Sequence, residues 1–93
     1  MAKGRYKTIM RTFGQRLREA REHAGYKSAQ QFAGVLDLEP HTYRKYERGQ
    51  AEPNFDTLTR ICELLGITPN HLLPLAASMM KRESGNGSQA SAA

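Results

Sequence analysis

His41, Arg44, Lys45 and Arg48 recur in the middle of the chain at spacings that place them on one side of a helix. Tyr43 and Tyr46 fall on the other side. Three fixed cations and an imidazole on the open face of a short helix suit contact with a polyanion better than bond making. Residues for bond making do not gather anywhere in the sequence. His23, His41 and His71 belong to three different helical stretches, and Cys62 has no histidine near it in the chain. Neither a Gly-rich phosphate loop nor a metal-ligand spacing occurs. No catalytic residue, cofactor or metal is expected, and an enzyme is the weakest of the functional classes considered.

The cationic helix needs a scaffold, and the punctuation of the sequence supplies one. Ser28-Ala29-Gln30-Gln31 has the spacing of a capping box, in which the serine oxygen caps a backbone N–H and the glutamine reaches back. It opens a helix with Phe32, Ala33 and Leu36 facing inward. Gly34 lies in its middle, and a close approach by another helix would account for it. Asp37-Leu38-Glu39 makes a corner. Pro40 fits the first helical position, and Gly49 stops the helix after Arg48. Glu47 falls on the tyrosine side, where an acid requires a cation; Arg21 is the natural one.

Upstream, Thr12-Phe13-Gly14-Gln15 repeats the capping-box spacing, and Phe13, Leu17, Ala20 and Ala24 form an apolar stripe, so a first helix is expected from Thr12 to a stop at Gly25. Downstream, Asn54 caps a fourth helix ending at Leu65, with Phe55, Leu58, Ile61, Leu64 and Leu65 apolar and Gly66 closing it. Thr68-Pro69 starts a fifth, and Pro74 ends or kinks it.

The expected architecture is all-α, a compact five-helix domain over residues 12–73. A basic N-terminal arm spans 1–11, a C-terminal helical extension 74–82, and a disordered tail 83–93, where SGNGSQASAA has nothing to bury. A domain of about 60 to 70 residues buries only roughly 60% of its unfolded surface, which disfavours a deep catalytic cavity.

The formal net charge is +5, with an isoelectric point near 9.7. Four of the 14 Lys and Arg residues (Lys3, Arg5, Lys7 and Arg11), and none of the nine acids, lie in residues 1–11. This bias favours nucleic acid or an anionic membrane surface as partner. No apolar run reaches the roughly 18 residues of a membrane span, and no signal-peptide pattern is present. The single cysteine, expected to be a small buried hydrophobe, agrees with a reducing compartment, most simply the cytoplasm.

The joint spacing of Phe32-Ala33, Leu36, Leu38, Tyr43, Tyr46-Glu47-Arg48-Gly49, Pro53, Leu58, Ile61, Leu65-Gly66 and Leu72-Leu73 resembles the helix-turn-helix family of phage lambda-type repressors and Cro, the Xre family. The resemblance covers residues 12–73. It implies that Pro40–Arg48 enters the major groove of double-stranded DNA while the preceding helix crosses the backbone. It implies base reading by Pro40, His41, Arg44 and Lys45. Phosphate contacts are implied around the start of the second helix (Lys27, Ser28, Gln30), at Thr42 and Arg48, and at Asn54. The family's helix-1 arginine and helix-3 glutamate match Arg21 and Glu47. Three positions depart from the pattern: Ala29 stands where glutamine is common, Asp37 replaces the corner glycine, and Glu39 replaces a Ser or Thr cap. A carboxylate at Glu39 repels phosphate and suits a cytosine N4 donor.

One such module covers little DNA, so a homodimer is expected, with Leu72, Leu75 and Met79 in the apolar run as its contact. The leading function is a sequence-specific double-stranded DNA-binding transcriptional regulator, with a repressor on a palindromic operator as its expected form. The alternative is a helix-turn-helix used to bind another protein, as in antitoxins, with Glu39 as the feature that leans this way.

Overall fold

A computed structural model of the protein describes residues 2–73. Among these residues there are five helices and no strand: α1 (Ala2–His23), α2 (Ala29–Leu36), α3 (Pro40–Glu47), α4 (Phe55–Leu65) and α5 (Pro69–Leu72). The expected extension at 74–82, with Leu75 and Met79, and the expected tail at 83–93 lie outside the described residues.

The helix ends follow from individual side chains. Ser28 Oγ accepts from the Gln31 N–H at 3.0 Å, and Gln31 Oε1 accepts from the Lys27 N–H at 3.0 Å. The reciprocal bond thus reaches one residue beyond the cap itself. Asn54 Oδ1 accepts from the Thr57 N–H at 2.8 Å and opens α4. Pro40 and Pro69 each occupy the first turn of their helices. At the corner, Asp37 adopts the left-handed conformation (φ 63°, ψ 43°), which Asp tolerates better than most residues. Its N–H closes α2 on the carbonyls of Ala33 and Gly34.

The core draws on every helix: Phe13, Leu17 and Ala20 from α1, Phe32, Ala33 and Leu36 from α2, Tyr43 and Tyr46 from α3, Ile61 and Cys62 from α4, and Leu72 from α5. Aromatic rings run through it in series. Tyr26 meets Phe32 with centroids 4.7 Å apart, Phe32 meets Tyr43 edge-on at 5.4 Å, and Tyr43 meets Tyr46 edge-on at 6.1 Å. Cys62 is buried, and burial pushes its thiol pKa up, which suits an inert packing residue.

Five expectations are corrected. α1 begins at Ala2 rather than Thr12, so the basic stretch is helical and Thr12 sits inside the helix. The apolar series continues upstream as Tyr6, Met10, Phe13 and Leu17, and the Tyr6 hydroxyl donates to Glu52 Oε1 at 2.9 Å, fixing the added turns to the loop before α4. Ala24, expected on the apolar stripe, is exposed just past the end of α1. On α4, Phe55 is 87% and Leu64 38% exposed. The two stand at opposite margins of a buried stripe centred on Leu58, Ile61 and Leu65. Leu72, expected in the dimer contact, is fully buried in the core.

The fifth correction concerns glycines. Gly34 has open space around it. The close helix crossing occurs at Gly14, where an added Cβ would lie 2.6 Å from the Tyr46 carbonyl oxygen and nearer still to that of Glu47. Only a missing side chain lets α1 meet the end of α3 at that distance.

Candidate nucleic-acid interface

α3 is amphipathic in the sense its sequence demands. Tyr43 and Tyr46 are buried, His41 and Arg48 are exposed, and Pro40, Thr42, Arg44 and Lys45 are half-buried. The hidden side is locked by ionic and polar bonds as well as by packing. Arg21 Nε donates to Glu47 Oε2 at 2.6 Å and Arg21 Nη2 to Glu47 Oε1 at 3.4 Å, a two-point grip on the carboxylate. Arg21 Nη1 donates to the Tyr26 carbonyl at 2.8 Å, and the Tyr43 hydroxyl donates to Glu47 Oε2 at 2.5 Å.

Arg21 is only 4% exposed. Burial works against its charge, but the hydrogen-bonded Glu47 carboxylate outweighs burial and holds the guanidinium more firmly protonated than usual. Burial, and then the same carboxylate, push the Tyr43 phenol pKa well up. Glu47 is therefore satisfied from two sides, and α3 is pinned to α1 at a fixed angle.

Beside this lock lies an open groove of about 380 Å³, where the start of α2 meets the end of α3. Lys27, Ser28, Arg44 and Arg48 line it, together with Arg18 and Arg21 of α1; Glu22 and Glu47 also border it. Within the described residues, no hydrogen bond takes up the N–H groups of Ala29 and Gln30 at the first turn of α2. Arg18 is paired with Glu22 at 3.4 Å and Arg21 with Glu47, so the unpaired N–H groups and the cations of Lys27, Arg44 and Arg48 are what suit a bound phosphate.

Of the residues expected to contact DNA, Lys27, Ser28, Arg44 and Arg48 come together in the groove, beside the expected Arg21–Glu47 pair. His41, Thr42, Lys45, Gln30 and Asn54 stand outside it. Arg18 is an addition, and its place three residues before Arg21 on the same helix is the signal that points to it. Glu39 is exposed and caps α3 without a side-chain hydrogen bond, so its carboxylate stands free at the entry to the helix, with Asp37 nearby in the chain. The ends of α3 thus differ in sign: acids stand at its entry and cations at its exit. Among the described residues no three His, Cys, Asp or Glu side chains cluster closely enough to hold a metal, and no helix is long and apolar enough to cross a membrane.

Comparison with known families agrees with this geometry. Residues 14–78 match the family described as "Helix-turn-helix domain". The chain belongs to the helix-turn-helix domain family. α2, the Asp37–Glu39 corner and α3 are its helix-turn-helix. Among curated relatives, the chain is 43% identical over 61 residues to the SPbeta prophage-derived uncharacterized HTH-type transcriptional regulator YonR of Bacillus subtilis (strain 168). That stretch covers 66% of this chain and 56% of the relative. It is 34% identical over 62 residues to the HTH-type transcriptional regulator ImmR of the same organism, covering 67% of this chain and 48% of the relative. The helix-turn-helix chain spans about half the length of the curated relatives it matches. No solved structure matches it.

Proposed function

We propose that this helix-turn-helix chain is a sequence-specific double-stranded DNA-binding transcriptional regulator. On this reading it is a cytoplasmic repressor without enzymatic activity that binds a palindromic operator as a homodimer, with α3 in the major groove. The observation that carries the reading is the division of α3. Its tyrosines and Glu47 are committed to the core and to Arg21, which leaves His41, Arg44, Lys45 and Arg48 on a rigid outer face. The names of the relatives, both transcriptional regulators, support it.

Arg44 and Lys45 donate to guanine O6 and N7, each good pair discriminating by about 1–3 kcal/mol. His41 donates to a base edge, and Pro40 supplies an apolar contact at the head of the helix. Lys27, Ser28, Gln30, Thr42, Arg48 and Asn54 hold phosphates, which gives affinity that falls steeply with salt. Two copies read half-sites about 34 Å apart. With Leu72 committed to the core, the dimer contact falls to Leu75 and Met79.

Selection of binding sites from random duplex DNA tests the proposal: a symmetric pair of enriched half-sites is expected. No salt-sensitive affinity for any duplex would remove it. That result would leave the alternative, a helix-turn-helix that binds a protein, which the free carboxylate of Glu39 at the α3 entry favours.

A further inference from the structure

We propose that Lys7 and Arg11 of α1, in line with Arg18, form a second phosphate track that grips duplex DNA beyond the stretch faced by α3. This inference rests on the DNA-binding reading above.

At about 100° per residue, Lys7, Arg11, Gly14 and Arg18 fall within one narrow strip of α1. The strip is set apart from the apolar side carrying Tyr6, Phe13, Leu17 and Ala20. Gly14 marks where it meets α3, because the carbonyls of Tyr46 and Glu47 rest against that position. On the C-terminal side of the crossing, Arg18, paired with Glu22 at 3.4 Å, stands with Lys27, Arg44 and Arg48 around the first groove. On the N-terminal side, Lys7 lines a second groove, of about 520 Å³, with Gly49 and Gln50. Arg11 lies against the same turn: a Cβ on Gly49 would stand 2.9 Å from the Arg11 Cα. The cations of α1 therefore continue on both sides of the point where α3 ends.

Three further observations favour an anionic partner for this strip. Lys7 and Arg11 are exposed, and neither makes an ion pair within the described residues. The nearby acid of the loop, Glu52, already accepts the Tyr6 hydroxyl at 2.9 Å. The charges also sit on a formed helix tied to that loop, so no backbone ordering is needed when a partner arrives. From Lys7 to Arg18 the helix rises about 16 Å, a length over which one DNA strand presents about five phosphates. The family match starts at Gly14, so Lys7 and Arg11 lie ahead of the helix-turn-helix pattern as an addition to it.

The test is fluorescence anisotropy on a mixed-sequence duplex of about two helical turns, roughly 20 base pairs, titrated at several salt concentrations. The intact chain is compared with the double variant K7Q/R11Q. Glutamine keeps the helix propensity of the exposed positions, and circular dichroism with thermal melting checks the fold. The plot of log affinity against log salt should become shallower by about 1.8, roughly 0.9 for each lost phosphate contact. Base preference in site selection should stay unchanged, and the charge-keeping variant K7R/R11K should retain the wild-type slope. Equal slopes for wild type and K7Q/R11Q overturn the track, as does wild-type affinity in the charge-reversed K7E/R11E. Failure of the wild type to bind any duplex is a different result, and it removes the DNA reading itself.

Discussion

Glu47 shows what a single side chain contributes here. Its carboxylate is held between the Arg21 guanidinium and the Tyr43 hydroxyl, with only 11% of its side chain exposed. Removing Arg21 leaves the acid without its counter-charge in a site that admits little water. Arg21→Ala should therefore cost about 3–5 kcal/mol of stability, read from urea unfolding. An unchanged midpoint would show that the pair adds nothing. Tyr43→Phe keeps the ring contacts and loses one hydrogen bond to a charged acceptor, a cost of about 1.5–3 kcal/mol. The phenol also sets a pH dependence. Its pKa in the folded chain is raised above the ordinary value of 10.0, so the folded state holds the proton where the unfolded chain releases it. That contribution is complete below pH 10 and is lost as the pH rises further. Stability measured from neutral to strongly alkaline pH should fall beyond that point, and less so in Tyr43→Phe.

Helix ends were legible wherever a capping side chain stood at the expected spacing. Ser28, Asn54, Pro40, Pro69 and Gly66 each mark a boundary the structure repeats. The start of α1 was not legible, because Thr12-Phe13-Gly14-Gln15 has cap spacing without being a cap. The tie between Tyr6 and Glu52, 46 residues apart in sequence, is invisible along the chain. Gly14 and Gly34 look alike as mid-helix glycines, yet space decides between them. Gly34→Ala adds a methyl to open surroundings and should gain about 1 kcal/mol through helix propensity. Gly14→Ala drives its methyl into two backbone carbonyls that cannot rotate away, and it should lose about 1–3 kcal/mol as the helices separate. Thermal melts of the two variants should move in opposite directions; a shared direction would show that the crossing is loose.

Over the whole molecule, charge is distributed along the axis of α3. Asp37 and Glu39 stand before its entry, while Arg44, Arg48, Arg18 and the α1 strip gather toward its exit. The types and spacing of the α3 side chains were readable from sequence. The groove was not, because it exists only once Gly14 sets α1 against α3. The proposed division of labour across this surface gives paired expectations. Arg44→Ala should relax preference at one base pair, whereas Arg48→Ala should weaken all sequences alike and lower the salt slope by about 0.9. Equal losses on selected and mixed DNA for both variants would remove that division. Glu39→Gln should raise affinity for mixed-sequence DNA by removing a repelling charge at the entry.

The aromatic series also makes the protein its own optical reporter. The chain has no tryptophan, so its intrinsic ultraviolet emission comes from four tyrosines. Three of them, Tyr26, Tyr43 and Tyr46, stand in that series. A tyrosine hydroxyl bound to a carboxylate emits weakly, and Tyr43 is bound to Glu47. Unfolding should therefore brighten the molecule without any label, as α3 unwinds and parts Tyr43 from Glu47 and as Tyr6 leaves Glu52.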